Sequence, residues 1–130
     1  MTQAPAATLL FAATLLACGT SRDQDTATTD ARSGQAGPWT VQWAPDPDPL
    51  PYNEPFALDL IVDGEPIPTI VQVRADMPEH GHGMPTDPVV TALGDGRYRA
   101  DGMLFQMTGA WEIVVTLDSE EAAFGVTCCP

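Results

Sequence analysis

The sequence predicts an all-β fold: an immunoglobulin-like antiparallel β-sandwich of about seven short strands. Three observations predict it. From Trp39 onward the apolar residues recur with period two, the period of a strand with one buried face. Prolines and Asp/Gly pairs punctuate these runs at short intervals. No stretch carries the 3.6-residue apolar stripe of a useful amphipathic helix.

The elements follow in chain order. Residues 1–17 read as an export signal. Leu9 to Ala17 form an apolar run too short to span a bilayer. It ends in Leu15-Leu16-Ala17-Cys18-Gly19, which resembles the lipobox of bacterial lipoproteins. By that resemblance Cys18 is acylated and becomes the mature amino terminus, and Gly19 rather than Asp implies no inner-membrane retention in a Gram-negative cell. The segment before the apolar run, Met1 to Ala6, has no Lys or Arg, and the alternative is an ordinary cleaved signal that happens to contain a cysteine. Residues 18–37 then read as the lipidated cysteine and a flexible tether. Ser, Thr, Asp, Gln and Gly dominate there, and such a segment buries too little surface to offset its ordering entropy. Its role is reach, holding the domain off the lipid surface.

The folded domain is expected over residues 38–130. Trp39, Val41 and Trp43 alternate with Thr40 and Gln42. Phe56, Leu58, Leu60 and Val62 form the next run, and Val71 and Val73 another. Trp111, Ile113, Val115 and Leu117 form a later one, and Phe124 and Val126 the last. Pro45 to Pro51, Asp63-Gly64 and Gly94-Asp95-Gly96 read as the turns between them. Met103, Phe105 and Met107 read as one face of a strand, most simply core filling by adaptable thioethers. Trp111, Tyr98 and Phe105 are the expected core aromatics. The core cysteine pair of antibody domains is missing, so the likeness to them is architectural.

Composition excludes some functions. The formal net charge is −13 and there is no lysine. Nucleic-acid binding needs a basic footprint and is not expected. An anionic membrane surface repels the globular part, and the acidity raises the local concentration of cations through a screened field.

One stretch carries chemistry. His80-Gly81-His82-Gly83-Met84-Pro85 holds the only two histidines of the chain, with Met77 just before it. Imidazole and thioether are the side chains that soft transition metals select, copper(I) above all. On an extended backbone His80 and His82 project to the same side, giving a two-imidazole clamp with Met77 and Met84 in reach. Met107, at the end of its run, is a further candidate ligand. The plainer alternative is a solvated turn in which the histidines satisfy backbone carbonyls. Asp76 and Glu79 border the pair, but a zinc hydrolase needs three placed ligands and a pocket, and no enzyme is expected. The adjacent Cys128-Cys129 reads as an inert or vicinal-disulfide tail, with soft thiolate ligation as the alternative.

Two elements resemble a known family. Ala75-Asp76-Met77-Pro78-Glu79-His80-Gly81-His82-Gly83-Met84 is similar to the signature of YtkA-like domains, which are related to FixH. The later match runs through Gly96-Arg97-Tyr98-Arg99-Ala100 to Gly102-Met103-Leu104-Phe105-Gln106-Met107-Thr108-Gly109-Ala110-Trp111-Glu112-Ile113. The resemblance implies an exported, membrane-attached β-sandwich, linked by analogy to copper handling, efflux systems and cytochrome oxidase assembly.

Together these readings give an expectation. The chain is a lipid-anchored protein of the cell envelope, on the outer membrane facing the periplasm in a Gram-negative cell. It binds copper at His80, His82, Met84 and Met77 or Met107, and passes it to an envelope partner. The second reading is an interaction module without metal that docks a membrane complex such as an efflux pump or an oxidase, with the histidines as contact residues.

Overall fold

The computed structural model describes residues 31–129. The signal peptide and Cys18 expected above lie outside them. The described chain contains no helix and folds as two antiparallel sheets packed face to face. Its strands are β1 (Ser33–Ala36), β2 (Trp39–Asp46), β3 (Phe56–Asp63), β4 (Val71–Met77), β5 (His82–Gly83), β6 (Val89–Gly94), β7 (Arg97–Met103), β8 (Gly109–Leu117) and β9 (Glu120–Cys128). One sheet has the order β1-β2-β3-β7-β6 and the other β5-β4-β8-β9.

The sandwich is as the periodicity predicts, with two corrections to its parts. Among the described residues there are nine strands rather than about seven, because β1 and β5 carry no apolar alternation. Ser33, Gly34 and Gln35 pair with β2 through backbone bonds, and only Ala36 of β1 is buried. That strand falls within the stretch expected to be tether, so order begins by Ser33, ahead of residue 38. Arg32 belongs to the same ordered entry: its carbonyl accepts from Trp43 N–H at 3.0 Å, and its guanidinium lies 5.2 Å from the Trp43 ring centre. The second correction concerns Met103, Phe105 and Met107. Strand β7 stops at Met103, and Phe105 and Met107 lie on the irregular link to β8.

The alternating runs explain the layers. Val41, Trp43, Leu58, Leu60, Ile113, Val115 and Leu117 are buried between the sheets, each contributing about 1.5–3 kcal/mol if an aliphatic side chain is fully withdrawn from water. The hairpin turns follow from residue type. Asp95 and Gly96 both have positive φ, +53° and +73°, as the two central residues of a type I′ turn require. Asp118 (φ +53°) opens the β8–β9 turn, and its carboxylate accepts the N–H groups of Thr69 and Ile70 at 2.9 and 2.8 Å. On the outer face of the five-stranded sheet, Arg99 donates to Asp46, Asp59 and Asp101. The Asp46 and Asp59 bonds outweigh desolvation and raise its pKa further above the ordinary arginine value.

One end of the sandwich gathers the histidine hairpin and the segments around it. The β4–β5 hairpin, the link at residues 104–108 and the end of β9 all lie there. Asn53 N–H binds the Phe105 carbonyl at 2.9 Å, Cys128 pairs with Gly109, and a Cβ added at Gly109 would lie 3.2 Å from the Met77 methyl.

Candidate functional site

The histidines sit on a tight hairpin. Met77 pairs with His82, and residues 78–81 make the turn. The Met77 carbonyl accepts from both His80 N–H and Gly81 N–H, each at 3.0 Å. Gly81 takes φ +68°, and nothing lies within 4 Å of a Cβ built on it, so its backbone conformation rather than crowding calls for glycine. Met84 N–H closes the hairpin on the Ala75 carbonyl at 3.1 Å.

His80 therefore lies in a turn, and only His82 lies on a strand. This corrects the picture of two residues on one extended backbone. The turn still brings the rings together, with centroids 5.9 Å apart and planes 32° apart. Both histidines are exposed. With metal–nitrogen bonds of about 2.0–2.1 Å, two imidazoles on one ion hold their ring centres roughly 5–6.5 Å apart. The observed spacing falls in that range.

His82 is oriented more closely than its exposure suggests. As the directly paired neighbour of Met77, it projects to the same face of the sheet as that core residue. Its ring meets Trp111 edge-on, with centroids 6.4 Å apart and an interplanar angle of 73°. Its Nδ1 lies 3.2 Å from the Gly83 carbonyl. A carbonyl oxygen only accepts, so Nδ1 is the donor in this contact, and Nε2 is the nitrogen that a neutral ring leaves for another partner. A backbone carbonyl that fixes the tautomer in this way is the usual support of a metal-ligating histidine. Gln106 Nε2 donates to the same carbonyl at 3.2 Å, tying the link before β8 to β5. Gln106 Oε1 is buried with no hydrogen-bond partner among the described residues.

The sulfurs are distributed unevenly. Met77 is fully buried. Met84 packs against the core, and its sulfur accepts from Leu104 N–H at 3.4 Å. Met103 is fully buried in the core, as expected of it, while Met107 is 37 % exposed. The Met107 carbonyl holds the Trp111 indole N–H at 2.9 Å, which sets Met107 beside the ring that His82 abuts. Trp111 itself stacks on Phe105 with centroids 4.5 Å apart and planes 9° apart.

The remaining candidates lie elsewhere or are engaged. Asp76 pairs with Arg74 at 3.2 Å. Cys128 and Cys129 form a disulfide with each other. Cys128 is on β9, with β8 and β4 between it and β5. At about 4.8 Å per strand that is roughly 14 Å from the histidine strand. Among the described residues no three His, Cys, Asp or Glu side chains gather at one point. The hairpin thus offers two imidazoles, flanked in the chain by the Met77 and Met84 thioethers, a donor chemistry that fits a soft ion of low coordination number better than a four-ligand zinc site.

Gln106 and the Gly83 carbonyl were not legible as site groups. Gln106 is 23 residues from its partner, and a lone polar residue between Phe105 and Met107 signals only a non-core position.

Comparison with known proteins adds one match. A family model described as YtkA-like covers residues 35–116, which takes in β2 to β7, β8 up to its last residue, and the whole histidine hairpin. No curated protein and no solved structure matches the chain.

Proposed function

We propose, from the premise that this chain belongs to the YtkA-like family, that it is an envelope lipoprotein whose histidine hairpin binds copper(I) and hands it to a partner. The observation that supports this most is the 5.9 Å spacing of the His80 and His82 rings, with His82 Nδ1 committed to the Gly83 carbonyl. Two imidazoles already at this spacing would bind a soft monovalent ion with little backbone rearrangement. Met107 and Met84 are the candidate thioethers, which would favour copper(I) over harder ions. The site is exposed and has few ligands, which suits exchange better than storage. The reading is of a binder and not an enzyme. The anchor on this reading is Cys18, acylated and made the mature amino terminus, which sets the protein on the outer membrane facing the periplasm in a Gram-negative cell.

A competition titration against a copper(I) chelator tests the metal reading. His80→Ala/His82→Ala should remove most copper(I) affinity and leave the fold intact, since both rings are exposed and contribute little packing. Failure of the wild-type protein to compete at micromolar concentration would sink the reading. The anchor is tested separately: Cys18→Ser should release the protein from membranes, and full membrane partitioning of that variant in high salt would refute lipidation there.

A further inference from the structure

We infer that the free edge of β4, beside the histidine hairpin, is a docking groove for an extended cationic segment of another protein, which adds there as a strand. The inference does not depend on metal binding.

It starts from where the chain leaves the sheet. Strand β5 ends at Gly83, and Met84 N–H makes the last bond to β4, on the Ala75 carbonyl. Pro85 and Pro88 then lead the chain across to the other sheet, where Thr86 Oγ1 donates to the Gly102 carbonyl at 2.6 Å and β6 pairs with β7. Strand β4 is therefore covered on this side only from Ala75 onward. Backbone groups along an antiparallel strand face alternate sides. The register with β8 runs unbroken from Val71↔Leu117 to Asp76↔Glu112. Since the Ala75 carbonyl turns away from β8, the N–H and C=O groups of Val73 and Val71 do too. Among the described residues neither has a backbone partner on that side. Such an open row is a template for strand addition.

Space and charge define the guest. A cleft of ≈ 670 Å³ runs along Val71–Asp76, with Met84, Pro88 and Val90 among its lining residues. Asp76, Asp87 and Glu121 line it too, and its one cationic lining residue is Arg74, paired to Asp76 at 3.2 Å and Glu121 at 3.3 Å. A second copy of this chain, itself carrying −13, is repelled from such a rim. A strand turns alternate side chains to opposite faces. A guest with apolar residues on one face and Lys or Arg on the other meets the Met84–Val90 wall and the carboxylates together. The groove shares Asp76 and Gly83 with the cleft at the histidine hairpin, so a docked segment lies in line with β5.

The test uses the full-length protein, ¹⁵N-labelled, and three capped six-residue peptides. The first alternates valine with lysine, the second replaces lysine with glutamate, and the third is the lysine peptide with alternate amides N-methylated. The lysine peptide should bind, shift the Val71 and Val73 amide resonances and slow their hydrogen exchange. N-methylation should weaken binding at least about tenfold, the worth of roughly one hydrogen bond. The glutamate peptide should not bind. Asp87→Lys/Glu121→Lys should weaken the lysine peptide by a similar factor at unchanged Tm. No binding at millimolar peptide overturns the inference. So does equal binding of the N-methylated or glutamate peptide, or protection confined to Val89–Gly94 on the neighbouring open edge.

Discussion

Trp111 joins the core to the histidine hairpin, and its replacement separates what its ring and its N–H each contribute. The side chain is 1 % exposed. One face stacks on Phe105 at 4.5 Å, and Nε1–H donates to the Met107 carbonyl at 2.9 Å. Trp111→Phe keeps a ring against Phe105 but deletes the donor and part of the indole. The lost hydrogen bond costs about 1 kcal/mol. Roughly 40 Å² less apolar burial, at about 25 cal/mol per Å², costs about 1 kcal/mol more. The void left in a core that relaxes only in part adds about 0.5–1 kcal/mol. The sum is about 3 kcal/mol, a large fraction of the ~5–15 kcal/mol that holds a typical domain together. Met107→Leu is the control, because the bond goes to its carbonyl, and its side chain is 37 % exposed. It should cost under about 0.5 kcal/mol. Urea unfolding reads both as shifts in midpoint at unchanged slope. The reasoning is refuted if Trp111→Phe lies within about 0.5 kcal/mol of wild type, or if Met107→Leu costs as much as Trp111→Phe.

Gly96→Ala should destabilise by about 2–3 kcal/mol, since φ is +73° and the new Cβ runs into the Val62 carbonyl, adding a collision to the left-handed penalty. Gly81→Ala, at φ +68° with open space around it, should cost only about 1–2 kcal/mol; equal Tm losses for the two would show that the Val62 contact is relieved cheaply. Arg32 holds Asp48 through two hydrogen bonds of 2.7 and 3.1 Å, and the Arg32 bond keeps the Asp48 carboxyl below its ordinary 3.8 against an opposing desolvation. A depressed folded value means that the tie stabilises above the ordinary value and is lost as pH falls through the folded one. An NMR titration should place the Asp48 midpoint below 3.8 and return it toward 3.8 in Arg32→Gln; a wild-type midpoint at or above that value would contradict it.

The parts of the fold written in the sequence are those with one buried face. Trp39-Val41-Trp43, Phe56-Leu58-Leu60-Val62 and Trp111-Ile113-Val115-Leu117 each bury every second side chain, so their period states their conformation. Strand β1 carries no such period, because its pairing to β2 satisfies backbone groups that any sequence has. Strand β6, Val-Val-Thr-Ala-Leu-Gly, is exposed at all positions but Val90, so its apolar residues do not report a buried face. The run Met103-Phe105-Met107 has the spacing of a strand, yet Phe105 faces Phe56 and Trp111 from an irregular segment. Alternation constrains side chains and not the ladder. The same limit applies at the site. His80 and His82 were legible as a pair by spacing alone, but the turn that joins them depends on the Met77 carbonyl and on a positive φ at Gly81. Neither Gln106 nor the Gly83 carbonyl has a local signature.

The packing of the thioethers ranks them as ligands on the proposed reading. Met77 has no exposed surface, and its methyl lies at the Gly109 backbone. To ligate, it must leave the core and open a void, at a cost of roughly 2–5 kcal/mol. Met84 is nearer the surface but already accepts from Leu104 N–H. A metal that takes this sulfur leaves that N–H without its partner, at about 1–3 kcal/mol if the group stays buried. Met107 carries neither cost, since its side chain is exposed and its structural bond goes through the carbonyl. The order of recruitment is therefore the two imidazoles, then Met107, then Met84, with Met77 last. On that reading a site assembled in that order begins two-coordinate, so an incoming ligand from a partner competes with weak third donors rather than with a closed shell. The disulfide, roughly 14 Å away across two strands, stands outside this sequence altogether.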